Sequence, residues 1–489
     1  MENNKYKKRR NRSYELIIIG VFLIFVSCDS TLYDSDIQKE PNINSDILIE
    51  NSLTFYDGSS YSDLEIVRNA ERMQNDLSEI YDGFGGAWIN PDDNKKVVIA
   101  LKKNGDTGNR GGIISNFQPL LTERILEREA RIESFSASEY QFEIVEVDYS
   151  FKDLQRVRDL LIPIIHERDD IVESSIEVMN NHFSIGLLEG ADTSEYLNLL
   201  DKYKINTDKV NFYETERIEP DIFMGSANEL NMQSTLTLRD FIRPLRGGLQ
   251  LQGHNPFLST LWVCTFGFNA TLDGVDMWLI NSHCTSQFSS TSTTDFYQSI
   301  LGGPGTLVGS EFRDYSGVGN TRYSDAALVL KSPQTAKLGH ILITNGWASG
   351  WPQEASVTLI PDGSGNYVDL RIIDEYSDVI PNVIINRVGR TAGWTLGALD
   401  NPCVSVSNIA PPMDGWTLHC QIRSTLYSGS GDSGSPVFQF YDDSDPDDIT
   451  IILNGIHWGR NNSQQRSFHS RMDGIRSDLI YANEVFSTY

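Results

Sequence analysis

The chain has 489 residues, more than one core accommodates and enough for two or three domains. Hydrophobic residues make up 39% and charged residues 22%, a globular balance. The formal net charge of −27 speaks against nucleic acid as a partner, because a phosphate backbone binds basic surfaces that release its counterions. It implies solubility and says nothing of fold.

The chain opens on a basic head, Lys5, Lys7, Lys8, Arg9, Arg10 and Arg12, followed by an uncharged apolar run over residues 16–26. That pattern reads as a secretory signal, too short for a comfortable transmembrane helix. It ends in Phe25-Val26-Ser27-Cys28. A small residue followed by cysteine resembles a bacterial lipobox. The resemblance implies a signal peptide over residues 1–27, a lipid on the sulfur of Cys28, and a place in the bacterial cell envelope, on the outer surface or in the periplasm. Residues 28–60 are rich in Asp, Asn and Ser and read as a flexible tether.

Residues 61–218 read as one α+β unit. Helical spacing runs over 62–81 with Leu64, Val67, Met73, Leu77 and Ile80 on one face. Strands follow at 86–89 and 97–101, joined by a turn at 90–94. A second amphipathic helix is expected over 151–167, interrupted near Pro163, then a hairpin of 176–178 and 183–188 about Asn180-Asn181. A helix over 193–203, opened by Thr193 with Glu195 in its first turn, and a strand over 210–213 complete the unit. His166 and His182 stand isolated and suggest no chemistry. Residues 219–246 lack a clean period and read as an inter-domain linker.

From residue 247 to 489 short β-type segments alternate with Gly, Asn, Asp and Ser turns. Strands are expected near 261–268, 277–281, 326–330, 357–360, 383–388, 436–441 and 449–456, with a helix over 472–486. The texture is that of an all-β barrel or sandwich.

Four cysteines remain after Cys28: Cys264, Cys284, Cys403 and Cys420. An even number in an exported chain implies two disulfides. A Cys264–Cys284 bridge would tie neighbouring strands and fix the backbone beside His283; Cys403 and Cys420 read as the second bridge, bracketing a loop, with two free thiols as the alternative. There is no Cys-x-x-Cys pair and no His-Glu-x-x-His, so no metal is expected. The acidic run 442–448 offers oxygens for calcium but lacks a fixed ligand spacing, and reads as a solvated hairpin loop.

Three strings carry chemistry. In Gly431-Asp432-Ser433-Gly434-Ser435-Pro436, glycines on both sides of a serine let backbone N–H groups face one point. A serine hydroxyl needs a base, and His283, at the end of an apolar strand beside Cys284, is placed to be one. In Tyr323-Ser324-Asp325-Ala326, an aspartate leads into an apolar strand. A buried carboxylate there needs a partner, and the far nitrogen of His283 would supply it.

The order His283, Asp325, Ser433, with these flanks, resembles the trypsin-like serine proteases, most of all the bacterial streptogrisin and α-lytic protease group. The resemblance covers about residues 243–489. Arg243 to Gly248 resembles the start of the mature enzyme. The strings 264–268 and 388–395 resemble the first cysteine strand and a Gly/Thr-rich strand, and Gly455-Ile456-His457-Trp458-Gly459 the strand that binds substrate backbone. It implies a double β-barrel with the site in the cleft between barrels. Ser433 would be the nucleophile, His283 the base and acid, and Asp325 the orienting group. The N–H groups of Gly431 and Ser433 would form the oxyanion hole, and His457, Trp458 and Gly459 would contact substrate. Peptide or protein substrates and no cofactor follow. Phe84 to Ile89 and the hairpin at Asn180-Asn181 resemble that group's pro-regions, which implies an intramolecular chaperone or inhibitor, with cleavage near Arg246.

Two positions depart from the family pattern. Ser435 stands where glycine is usual. His457 stands where a serine commonly sits beside the buried aspartate, so it either perturbs Asp325 or reaches the specificity pocket and favours acidic side chains. Tyr427, six residues before Ser433, argues against an acidic pocket floor. The reading from another class is a non-catalytic, surface-tethered binding protein on a protease scaffold.

Overall fold

The computed structural model describes residues 63–103, 112, 115–117, 141–165, 168–223, 236–255, 260–292, 294–298, 306–315, 320–332, 336–377, 379–442, 445 and 448–489. The expected signal peptide, Cys28, the tether and His166 lie outside them. The chain divides into residues 1–54 and 55–489, and the described residues all belong to the second unit. They are mostly β with few helices.

The N-terminal elements are α1 (Asp63–Ala70), α2 (Arg72–Ile80), β1 (Phe84–Asn90), β2 (Asp93–Lys102), β3 (Gln141–Val147), α3 (Phe151–Ile165), β4 (Ile171–Glu177), β5 (His182–Leu188), α4 (Thr193–Lys202) and β6 (Val210–Thr215). The helix expected over 62–81 is two helices that meet at the buried Glu71. α3 buries Phe151, Leu154, Val157, Leu161 and Ile165, one helical stripe, against β1, β4 and β5. α4 is capped by Asp192, whose carboxylate accepts from Ser194 N at 2.9 Å. The pairing of β3 with β2, parallel, had no sequence signal.

The remaining strands are β7 (Glu219–Pro220), β8 (Leu245–Gly247), β9 (Gln250–Asn255), β10 (Thr260–Thr265), β11 (Phe268–Leu272), β12 (Val275–Ile280), β13 (Asp295–Gln298), β14 (Thr306–Asp314), β15 (Thr321–Arg322), β16 (Ala327–Lys331), β17 (Ala336–Leu342), β18 (Trp347–Ser349), β19 (Asp369–Glu375), β20 (Ile384–Gly389), β21 (Gly393–Val406), β22 (Thr417–Ser424), β23 (Pro436–Asp442), β24 (Thr450–Asn461) and β25 (Arg466–Arg471). Helix α5 (Met472–Leu479) and β26 (Phe486–Ser487) end the chain. One sheet runs β10-β9-β13-β14-β16-β12-β11-β26. A larger one is built about β20–β25 and carries β4, β5 and β6 at one side. The segment expected as a strand at 357–360 makes only isolated bridges, Thr358 to Thr237 and Leu359 to Thr344.

The N-terminal layer and the second sheet are joined through backbone. β4 pairs antiparallel with β21, Ser174 opposite Ser405. Beneath that seam the buried Arg423 contacts Glu173 at 3.2 Å, Glu177 at 2.8 Å and Asp400 at 3.2 Å. The stretch expected as an inter-domain linker is held near both of its ends. Glu219 and Pro220 pair with β24, while Leu238 and Ile242 lie in the core.

Candidate active site

His283 lies in a short 3-10 turn directly after β12. The Cys264–Cys284 disulfide ties that turn to β10, and the Trp262 indole donates to Cys284 O at 2.5 Å. Asp325 sits between β15 and β16, and its surroundings fix it from several directions. Its N–H donates to Ser470 Oγ at 2.8 Å, and its carbonyl accepts from Asn281 Nδ2 at 2.7 Å. The preceding Ser324 gives its N–H and hydroxyl to Asp478 at 2.7 and 2.8 Å. Burial pushes the Asp478 carboxyl up to about 6. Arg322 lies wholly buried between Asp314, at 3.1 Å, and Asp478, at 3.7 Å.

This scaffold presents the Asp325 carboxylate to His283. Oδ1 accepts the His283 backbone N–H at 3.0 Å, and Oδ2 meets the ring Nδ1. The other ring nitrogen, Nε2, is 2.7 Å from Ser433 Oγ. With Nδ1–H donating its hydrogen bond to Asp325, Nε2 carries a lone pair toward the hydroxyl, as removal of the serine proton requires.

Ser433 is held by a loop whose backbone turns at Gly431 (φ 100°) and Gly434 (φ 92°), left-handed conformations that suit glycine. A Cβ on Gly434 would come within 2.2 Å of Thr265 O. Thr265 fastens the loop to β10, its N–H donating to Ser433 O at 2.7 Å and its hydroxyl to Gly431 O at 2.9 Å. Asp432 turns inward to Arg387, 3.0 Å away, both fully buried. Its carboxylate also accepts the N–H groups of Thr391 and Gly429 at 2.7 and 2.8 Å. Ser435 joins this cluster, its hydroxyl donating to Asp432 O and lying 3.2 Å from the Arg387 guanidinium.

The N–H groups of Gly431 and Ser433 converge on one oxygen, the carbonyl of Asp221, at 2.5 and 3.4 Å. His283 is 1% exposed and Ser433 is closed to solvent, so the chain itself fills the site. Asp221 N donates to Trp458 O at 3.0 Å, and Pro220 and Glu219 lie opposite Gly459 and Arg460.

The Asp221 side chain is buried against His457 Nε2, at 2.7 Å, and the Arg460 guanidinium. Burial raises its carboxyl, outweighing Arg460, and burial lowers His457 well below the usual imidazole range. A neutral His457 then donates its Nε2 proton to Asp221. Its Nδ1 accepts from His469 Nδ1 at 3.2 Å, and His469 Nε2 accepts from Ser424 Oγ at 2.7 Å. Every ring nitrogen in this row is satisfied.

The structure thus brings His283, Asp325, Ser433 and Gly431 together, with His457, Trp458 and Gly459 beside them. Cys403 and Cys420 form the second disulfide. Of the two sites expected for His457, the structure places it against Asp221, away from the Asp325 carboxylate bonds. The Tyr427 carbonyl accepts from Arg387 at 2.8 Å, and no acid occupies that position. Sequence reading missed Asp221, Arg387, Asp432, Arg460 and His469. An arginine in the apolar run 383–388 was the one available sign of a buried cation. The sulfurs of Cys264 and Cys284, which lie near His283, are joined in a disulfide and so are not thiolate ligands for a metal.

No protein-family model matches the chain, and no curated protein matches it. Solved structures do. The Nocardiopsis protease NAPase is similar over 50% of this chain and 98% of its own, at 18% identity and TM-score 0.31. A glutamic acid specific serine protease that utilizes a histidine triad in substrate binding is similar over 48% and 100%, at 17% identity and TM-score 0.32. Thermobifida fusca protease A is similar over 48% and 98%, at 16% identity and TM-score 0.30.

Proposed function

We propose that the chain is an exported serine endopeptidase, made as a latent precursor and anchored by a lipid on Cys28. Residues 247–489 are the protease, of double β-barrel type, and residues 61–218 its pro-region. The observation that carries the reading is the row Asp325–His283–Ser433 ending at a carbonyl oxygen held by two N–H groups. Ser433 Oγ attacks a peptide carbonyl while His283 Nε2 takes its proton. The oxyanion settles on the N–H groups of Gly431 and Ser433, and His283 returns the proton to the leaving amine. Water then releases the acyl group by the same steps reversed. The buried Ser433 supports latency, since no outside peptide reaches it while residues 219–223 remain in place.

The test is labelling by a fluorophosphonate probe before and after limited proteolysis of the exposed chain, beside Ser433→Ala. Labelling that appears on proteolysis in the wild type alone supports the reading. A wild type that stays unlabelled after residues 61–221 are removed overturns it in favour of a binding protein on this scaffold.

A further inference from the structure

We propose that the bond between Asp221 and Ile222 is this protein's own first substrate, and that the site selects a carboxylate side chain before the bond it cuts. This rests on the hydrolytic reading above and adds to it the position of self-cleavage and the chemistry of the preferred residue.

The chain crosses the site extended and is held on both sides of that one bond. On the N-terminal side, Glu219 and Pro220 pair antiparallel with Arg460 and Gly459, and Asp221 N donates to Trp458 O at 3.0 Å. On the C-terminal side, Phe223 exchanges both backbone bonds with Val263, N to O at 3.3 Å and O from N at 3.0 Å. Backbone pairing of this kind fixes register without regard to side chain. The residue whose carbonyl meets the N–H groups of Gly431 and Ser433 is therefore Asp221 and not a neighbour. The alternative cut near Arg246 has no such support. Arg246 is 2% exposed, within β8, and its guanidinium is 2.8 Å from Asp369.

The selection follows from what encloses the side chain. Asp221 is fully buried, and its two carboxylate oxygens meet His457 Nε2 and the Arg460 guanidinium. An apolar side chain there would leave both donors facing nothing, and a lysine would face Arg460. His457 is itself set by His469 and Ser424, so its Nε2 proton points into the pocket before any ligand arrives.

The reaction balances within the site and one water. Ser433 Oγ bonds to the Asp221 carbonyl carbon as its proton passes to His283. The Asp221–Ile222 C–N bond breaks, and that proton goes to the Ile222 amine. Water then cleaves the ester, giving one chain ending in the Asp221 carboxylate and one beginning at Ile222.

The experiment follows the full-length wild type, Ser433→Ala and Asp221→Asn by intact mass and N-terminal sequencing. It then presents peptides with Asp, Asn, Ala or Lys before the scissile bond to the matured wild type and to Arg460→Gln. The wild type is expected to yield a chain starting at Ile222, and Ser433→Ala to stay whole. Asp221→Asn is expected to be cut at that bond at least about a hundredfold more slowly. In peptides the Asp substrate leads by a similar factor, and Arg460→Gln narrows that lead, mainly through KM. A new N-terminus elsewhere, a wild type that stays whole, or equal cleavage after Asp and Ala overturns the inference. A matured enzyme that hydrolyses peptides indifferently leaves the hydrolytic reading standing. One that hydrolyses nothing and takes no fluorophosphonate removes that reading too.

Discussion

The Arg387 guanidinium and the Asp432 carboxylate, 3.0 Å apart and fully buried, fasten the loop that carries Ser433. Arg387 also reaches the Ser435 hydroxyl, the Thr395 hydroxyl and the Tyr427 carbonyl, so one cation ties β20 to two segments of that loop. Removing one partner leaves the other charged and buried, which costs about 3–5 kcal/mol. Arg387→Met is expected to lower the melting temperature of a Ser433→Ala background and, with Ser433 restored, to abolish peptide hydrolysis. A melting temperature within a degree of the parent would contradict this account.

Asp325→Asn keeps an oxygen for the His283 backbone N–H but can present an amide to Nδ1, favouring the wrong tautomer. Peptide hydrolysis by the matured enzyme is expected to fall about 10⁴-fold, with the melting temperature little changed. A tenfold loss or less would show that Asp325 does not orient the base.

Gly434 has φ 92°, and a Cβ there would meet Thr265 O at 2.2 Å. The obstructing atom is backbone, so it cannot swing aside. Gly434→Ala is expected to cost about 2–4 kcal/mol and to remove activity by displacing Ser433. Chemical denaturation and a hydrolysis assay read the two effects separately.

The Cys264–Cys284 bridge closes a short loop, with a sequence separation of 20, around the hairpin that delivers His283. Replacing both cysteines with serine is expected to cost about 3 kcal/mol and to slow hydrolysis. Reduction of a chain carrying Cys403→Ser and Cys420→Ser, which leaves this bridge alone to be cut, should reproduce both effects; a fully active double variant would mean that β12 positions the turn unaided.

Glu311 is buried beside Ser292, whose N–H it accepts at 2.9 Å, and burial raises its carboxyl from the usual 4.5 to about 7. A raised folded value gives a contribution to stability that is complete below about 4.5 and is lost as pH rises through about 7. The loss is on the order of 3 kcal/mol. Melts of Ser433→Ala between pH 4 and 9, beside the same chain with Glu311→Gln, should show a decline that the second variant lacks. Parallel curves would assign the decline to other groups.

Much of the fold was legible because its signals are local. The stripe Phe151, Leu154, Val157, Leu161 and Ile165 reads as a helix from spacing alone, and a helix is what forms. The strand ending at Ile280 and the hairpin at Asn180-Asn181 read equally well. The reading failed where local and tertiary signals part. The stretch 357–360 is apolar enough for a strand, yet its neighbours offer it only single bridges. Residues 219–246 are polar and aperiodic, which is the texture of a linker, but the backbone of 219–223 needs no special side chains to pair with β24 and Val263.

The sequence by itself determined His283, Asp325 and Ser433 as candidates, because each stands in a string whose neighbours shape its own backbone: a cysteine, a strand start, a pair of glycines. It also determined that four cysteines would pair. Only the tertiary structure decided that Asp221 lies across Ser433, that Arg387 meets Asp432, and that Ser424, His469 and His457 form one row. These partners are 45 residues apart in the Ser424–His469 contact and 236 in the His457–Asp221 contact. A polar side chain looks the same in a sequence whether it faces water or a buried partner. Its burial is set by the packing of distant strands, and only that packing turns an aspartate in an aperiodic stretch into the residue that fills the site.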